Sequence, residues 1–217
     1  FSGVLCKGDC IYFFPENLKG FFVPPYFWNT SPSGSGLGFY ALPTIAFSPP
    51  PILLGFFHHF FQLNFEIIEK IAWFFPFLGF SFLGMVRLGK VLGLNSVGIF
   101  FAVLLYLTNS YILLTLDGGQ IGIALAYSLL PIVFSFFLTG VEGKKRLDKL
   151  VAAIFLGILS FFDLRVSYLV YFLLCSYLLF HLLIKRDFRM HILMNIISSL
   201  ALILIIPFSF HFYWIVP

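Results

Sequence analysis

The side chains able to do chemistry fall into three short clusters in a chain with few polar groups. The first is Gly8-Asp9 in the opening segment, with Glu16 further along the same stretch. A carboxylate just outside hydrocarbon can accept a proton or hold a divalent cation, and partial burial raises its pKa toward a useful range. The same pair also reads as a solvated loop acid after a turn glycine. The second cluster, Asp117-Gly118-Gly119-Gln120, offers a carboxylate and an amide but reads better as a good tight turn. The third is Asp163 with Arg165. Two residues apart they share no helix face, yet in a turn both can face one cavity. There a guanidinium suits a lipid phosphate through a bidentate, charge-assisted pair. The alternative is a charged cap on a short helix.

Other side chains say less. Tyr26, Phe27 and Trp28, together with Tyr40, suit stacking on a sugar face or an interfacial aromatic belt. His58-His59 reads as structural rather than metal-binding. Asn29-Thr30-Ser31 fits the glycosylation pattern but is followed by Pro32. Cys6 and Cys10 are close enough in sequence to bridge in an oxidising compartment, though two small residues explain them better. The chain has no P-loop, no GxSxG and no zinc-ligand spacing.

The elements that must position these groups are membrane helices. Apolar residues make up 60% of the 217 and charged ones 10%, and mean hydropathy is +1.02. A soluble domain carries about 25% charge, and no single core of this size hides so much Phe, Leu and Ile. The formal charge of +4 follows topology and implies no nucleic-acid partner. The expected fold is an all-α polytopic membrane protein with about six transmembrane helices, near 71–88, 96–116, 121–139, 150–162, 166–184 and 191–208. Residues 1–62 form a first loop with short interfacial helices, including 52–61, and residues 63–217 the bundle. Glu66, Glu69 and Lys70 are expected on the wet side. Phe1 and the closing aromatic run suggest a fragment.

Basic residues collect in every second loop: Arg87 and Lys90, then Lys144 to Lys149, then Lys185 to Arg189. By the positive-inside rule those loops are cytoplasmic. The opening segment, the Asp117 turn and the Asp163 turn share the outer face. The short 150–162 span must cross, because otherwise the Lys185 cluster lands outside; Lys149 is expected to snorkel at its end. Pro76 and Pro131 should kink their helices.

Read in order, an early outer Gly8-Asp9, a long aromatic loop, Thr108-Asn109-Ser110-Tyr111, a Gly-Gly-Gln turn, Ala124 to Pro131 and the Asp163-x-Arg165 element form a familiar series. It resembles the GT-C superfamily of multi-spanning membrane glycosyltransferases, in the arabinofuranosyltransferase- and YfhO-related branch. The resemblance implies transfer of sugar from a polyprenyl-phosphate donor to a glycan or lipid acceptor at the extracytoplasmic face of the plasma membrane. It implies Asp9 as catalytic base or ligand of a divalent cation such as Mg or Mn, with Arg165 on the donor phosphate. Asp163, Asp117, Gln120 and Glu16 support the outer face, and Tyr26 and Trp28 seat the acceptor. The second acid common in that family is missing beside Asp9, where Cys10 and Ile11 stand. The runner-up is a transporter or flippase of lipid-linked saccharide or small solute. It calls for polar groups at mid-membrane depth and paired broken helices.

Overall fold

The computed structural model describes residues 49–143, 145–185 and 190–212. Asp9, Glu16, Tyr26 and Trp28 lie outside these, as do Lys144, Arg186 and Arg189. The described elements are all helical: α1 (Pro49–Phe61), α2 (Phe65–Glu69), a widened turn at Lys70–Phe74, α3 (Phe75–Val91), α4 (Ser96–Thr108), α5 (Ser110–Asp117), α6 (Ile121–Glu142), α7 (Arg146–Phe162), α8 (Leu164–Lys185) and α9 (Met190–Phe210).

Four stretches are long and apolar enough to cross a bilayer: Phe65–Val91, Ser96–Asp117, Ile121–Glu142 and Leu164–Leu183. The chain is an integral membrane protein. Where about six spans were expected, α7 has 17 residues and the apolar part of α9, Met194–Phe210, is also shorter than the other four. Exposed apolar faces such as Phe100, Phe101 and Leu105 on α4, and Leu169 and Phe172 on α8, meet lipid.

The centre is the α6–α7 pair, packed antiparallel along its length. At one end Gly122 lies against the Phe162 carbonyl; at the other Gly140 lies against Lys149, where a Cβ would stand 2.9 Å from its backbone nitrogen. Glycine lets the backbones approach this closely, the device small residues serve in membrane bundles. α9 runs parallel to α7, with Asn195 near Lys149 and His211 near Ser160. α3 packs on α6 through Gly84, against Pro131 and Ile132. Ala126, Leu129, Val133, Phe137, Leu156, Leu159 and Leu174 form the core. These contacts put the 117–121 and 163 turns at one end of the bundle and the Gly143 and Lys149 ends of α6 and α7 at the other.

The two prolines expected to kink their helices are both answered locally. Pro76 follows the widened turn, where Phe75 N–H bonds to the Lys70 carbonyl, one residue beyond the usual partner. Pro131 lacks the N–H that would bond to the Tyr127 carbonyl, and the Tyr106 hydroxyl donates to that carbonyl at 2.6 Å.

The expected continuous helix over 96–116 is broken instead. Asn109 is extended at φ −67°, ψ 151°, and its side chain caps α5 by accepting from Ile112 N at 3.1 Å. An asparagine competes with the helix ladder for backbone donors and so favours such a cap. The break frees the Tyr106 carbonyl, which accepts from Asn109 Nδ2 at 2.9 Å and from the Tyr127 hydroxyl at 3.2 Å. Two interrupted helices thus satisfy each other's orphaned carbonyls, with the tyrosine rings stacked 4.1 Å apart.

Candidate functional site

Of the sequence-identified clusters among the described residues, the one at the α7–α8 junction has side chains that join. Asp163 ends α7 in extended backbone, at φ −157° and ψ 116°, and then caps α8. Its Oδ1 accepts from Arg165 N at 2.8 Å and from Val166 N at 3.1 Å, the pattern of an aspartate N-cap. The turn also lets the two side chains pair, which a helix face would forbid. Arg165 Nη2 donates to Oδ2 at 2.7 Å, and Nε reaches both oxygens at 3.2 and 3.3 Å.

Burial divides the pair unevenly. The Asp163 side chain is 6% exposed and that of Arg165 76% exposed. Both carboxylate oxygens are engaged, so Asp163 is neither a free base nor a ready cation ligand. It orients the guanidinium. A guanidinium has five N–H donors, and those not turned to Asp163 remain for an anion. The Tyr111 phenol of α5 lies within electrostatic reach of Arg165.

Asp117 and Gln120 sit in the exposed turn from α5 to α6 at this same end, with Gly119 at φ +73° taking the left-handed position. Among the described residues neither side chain bonds to Asp163 or Arg165, so the turn reading of Asp117-Gly118-Gly119-Gln120 describes its geometry. Among the described residues no three acidic, histidine or cysteine side chains gather as a metal site. With Asp163 engaged on both oxygens, the described part of this end does not suit a divalent cation.

Several expectations change. Glu69 was expected on the wet side, but it is fully buried, because the widened turn after α2 rotates it inward beside Ile68 and Trp73. Glu66 and Lys70 do form a part-exposed ion pair at 3.3 Å. Lys149 does not snorkel. It is 3% exposed, and its Nζ donates to the Asn195 carbonyl at 3.0 Å, to Asn195 Oδ1 and to Ser198 Oγ at 2.8 Å. Asn195 Nδ2 in turn donates to the Val141 carbonyl at 2.9 Å. An ammonium has three protons, and all three are placed. His58 is structural as expected, its Nδ1 3.0 Å from the Leu63 carbonyl.

Sequence reasoning missed Ser160 and His211. Ser160 Oγ donates to the Gly157 carbonyl at 2.6 Å and lies 2.7 Å from His211 Nε2. The single hydroxyl proton goes to the carbonyl, so Nε2 is the donor in this contact. A histidine that donates to the serine does not activate it as a nucleophile, and both residues are buried. The pair ties α7 to the end of α9. Its signal in sequence, a serine and a histidine 51 residues apart, is too thin to find.

No family model, curated protein or solved structure matches the chain. The likeness to glycosyltransferases therefore stands on motif order alone.

Proposed function

We propose that the chain is part of a membrane glycosyltransferase that takes sugar from a polyprenyl-phosphate donor at the extracytoplasmic face of the plasma membrane. Arg165 carries this reading: a guanidinium held at one edge by a buried carboxylate, with its remaining donors exposed at one end of a membrane bundle. Such a group suits a lipid phosphate, and it neutralises charge developing on the leaving phosphate in a poorly solvated place. Asp9 acts as the base on the acceptor hydroxyl, Tyr26 and Trp28 seat the acceptor, and Asp117, Gln120 and Glu16 line the same face.

Transfer measured over a range of donor concentrations tests the two roles separately. Asp9→Asn abolishes transfer while abundance and membrane insertion stay unchanged; activity near wild type removes the assignment. Arg165→Ala raises the apparent KM for the donor, and an unchanged KM refutes the phosphate role.

The second reading, a transporter, gains one observation. The break at Asn109 interrupts a span between α4 and α5 and sets a polar cluster within it, a feature of transport proteins. Flux of a lipid-linked saccharide into proteoliposomes without any transfer product would favour it.

A further inference from the structure

We propose that Arg87 holds the phosphate of an anionic phospholipid at the end of the bundle opposite Arg165, with an acyl chain lying along α3. The site starts from a cation that lacks an acceptor. Arg87 stands one turn before the end of α3 at Val91, and its Cζ lies 3.7 Å from the centre of the Phe136 ring of α6. That ring is nearly parallel to Phe155 of α7, at an interplanar angle of 10°. The aromatic face attracts the charge and fixes its position, but it offers no oxygen to the five N–H donors of a guanidinium.

Among the described residues nothing else accepts them either. Nε is covered and has no hydrogen-bond partner, and the ion pairs involve Lys70 and Arg165 instead. Nε is the one guanidinium nitrogen so covered, which leaves the Nη groups open to a ligand. Lys149, at the same end, finds its acceptors on α9. Arg87 finds none in the described chain, and an unpaired charge at the edge of hydrocarbon is costly.

The face of α3 that leads to Arg87 is open to lipid. Gly79 has nothing within 4 Å of where a Cβ would stand, and Leu83 is 62% exposed. Residues four apart share a helix face, so Gly79, Leu83 and Arg87 form one stripe. The span ending at Val91 has 27 residues, more than the about 20 that cross hydrocarbon, so its last turn reaches head-group depth. An acyl chain along Gly79 and Leu83 therefore brings its phosphate to Arg87, whose planar fork matches two phosphate oxygens at once. Lys90, one turn further on, and Lys145 and Arg146 at the same end are exposed, and their positive potential favours a lipid of net negative charge. This lipid is structural. It completes the α3–α6 seam where the protein supplies no acceptor, and it is independent of the donor site at Arg165.

Native mass spectrometry of the full chain in detergent, titrated with dioleoylphosphatidylglycerol or dioleoylphosphatidylcholine, tests the site. The wild type should bind the phosphatidylglycerol more tightly. Arg87→Gln should weaken that binding at least about tenfold, the loss of one hydrogen bond to a charged group, and leave phosphatidylcholine binding unchanged. Arg87→Lys keeps the charge and the fold but not the fork, and should weaken it about threefold; it carries the test if the Gln variant does not fold. Equal binding of the two lipids by the wild type, or phosphatidylglycerol binding that Arg87→Lys and every folded Gln variant leave unchanged, overturns the proposal. Displacement of the lipid by excess inorganic phosphate would assign the site to a soluble phosphate and overturn the lipid as its occupant.

Discussion

The two ends of the bundle treat their charges in opposite ways. At one end a cation, Lys149, is buried among neutral acceptors of α9 with all its protons placed. At the other an anion, Asp163, is buried, and its cation partner Arg165 stays exposed with donors to spare. A charge whose hydrogen bonds are complete can hold helices together but has nothing left for a ligand. A charge oriented from one side and open on the other is available. The difference therefore separates a structural end from one fit for binding, even though both carry a basic residue at a helix start.

Removing Lys149 should give the largest effect. Lys149→Ala leaves Asn195 and Ser198 without their shared donor and opens space beside Gly140, at about 2–4 kcal/mol of stability. Thermal unfolding in detergent should show a clear fall in Tm with donor binding unchanged in the surviving folded fraction. Equal stability would mean that the two ends differ less than their geometry suggests.

Asp163 sharpens the other half of the comparison. Asp163→Ala loses the cap and the ion pair, and should cost about 1–2 kcal/mol. Asp163→Asn keeps an N-cap acceptor but not the charge, so it should recover most of that stability while loosening Arg165. A raised donor KM in the Asn variant at near-normal Tm is the expected result. If both variants lose stability equally, the cap is not what Asp163 supplies.

The smallest effect should come from pH. Burial pushes the His211 imidazole below its ordinary value, which is about 6.5 in the unfolded chain. Between the two values the unfolded state binds more protons, so stability rises with pH through that window and is level above it. Lowering pH from 7 to 5 should therefore reduce Tm slightly, and His211→Gln should flatten the profile. A Tm that rises on acidification would contradict a neutral, buried imidazole.

Much of the scaffold was legible in sequence because hydropathy acts over whole segments. The stretches near 71–88, 121–139 and 166–184 announce themselves by length, and α1 by its proline start and apolar run. Individual side chains were harder. Glu69 and Lys149 look like surface charges in any linear reading, since nothing local marks the widened turn that rotates one or the Asn195–Ser198 acceptors that capture the other. Asp163 and Arg165 were visible as a pair, but whether they faced a ligand or each other depended on the turn between α7 and α8. The break at Asn109 is a middle case: asparagine favours a cap, yet uninterrupted hydropathy on both sides pointed to one helix.

Composition alone determined that this chain lives in a membrane, because no aqueous fold can cover so much apolar surface. Tertiary structure decided which of its few charges are spent on holding helices together and which remain open. That choice turns on hydrogen-bond partners tens of residues away, as in the reach of Lys149 to Asn195, because in a low-dielectric bundle a buried charge without a partner is costly.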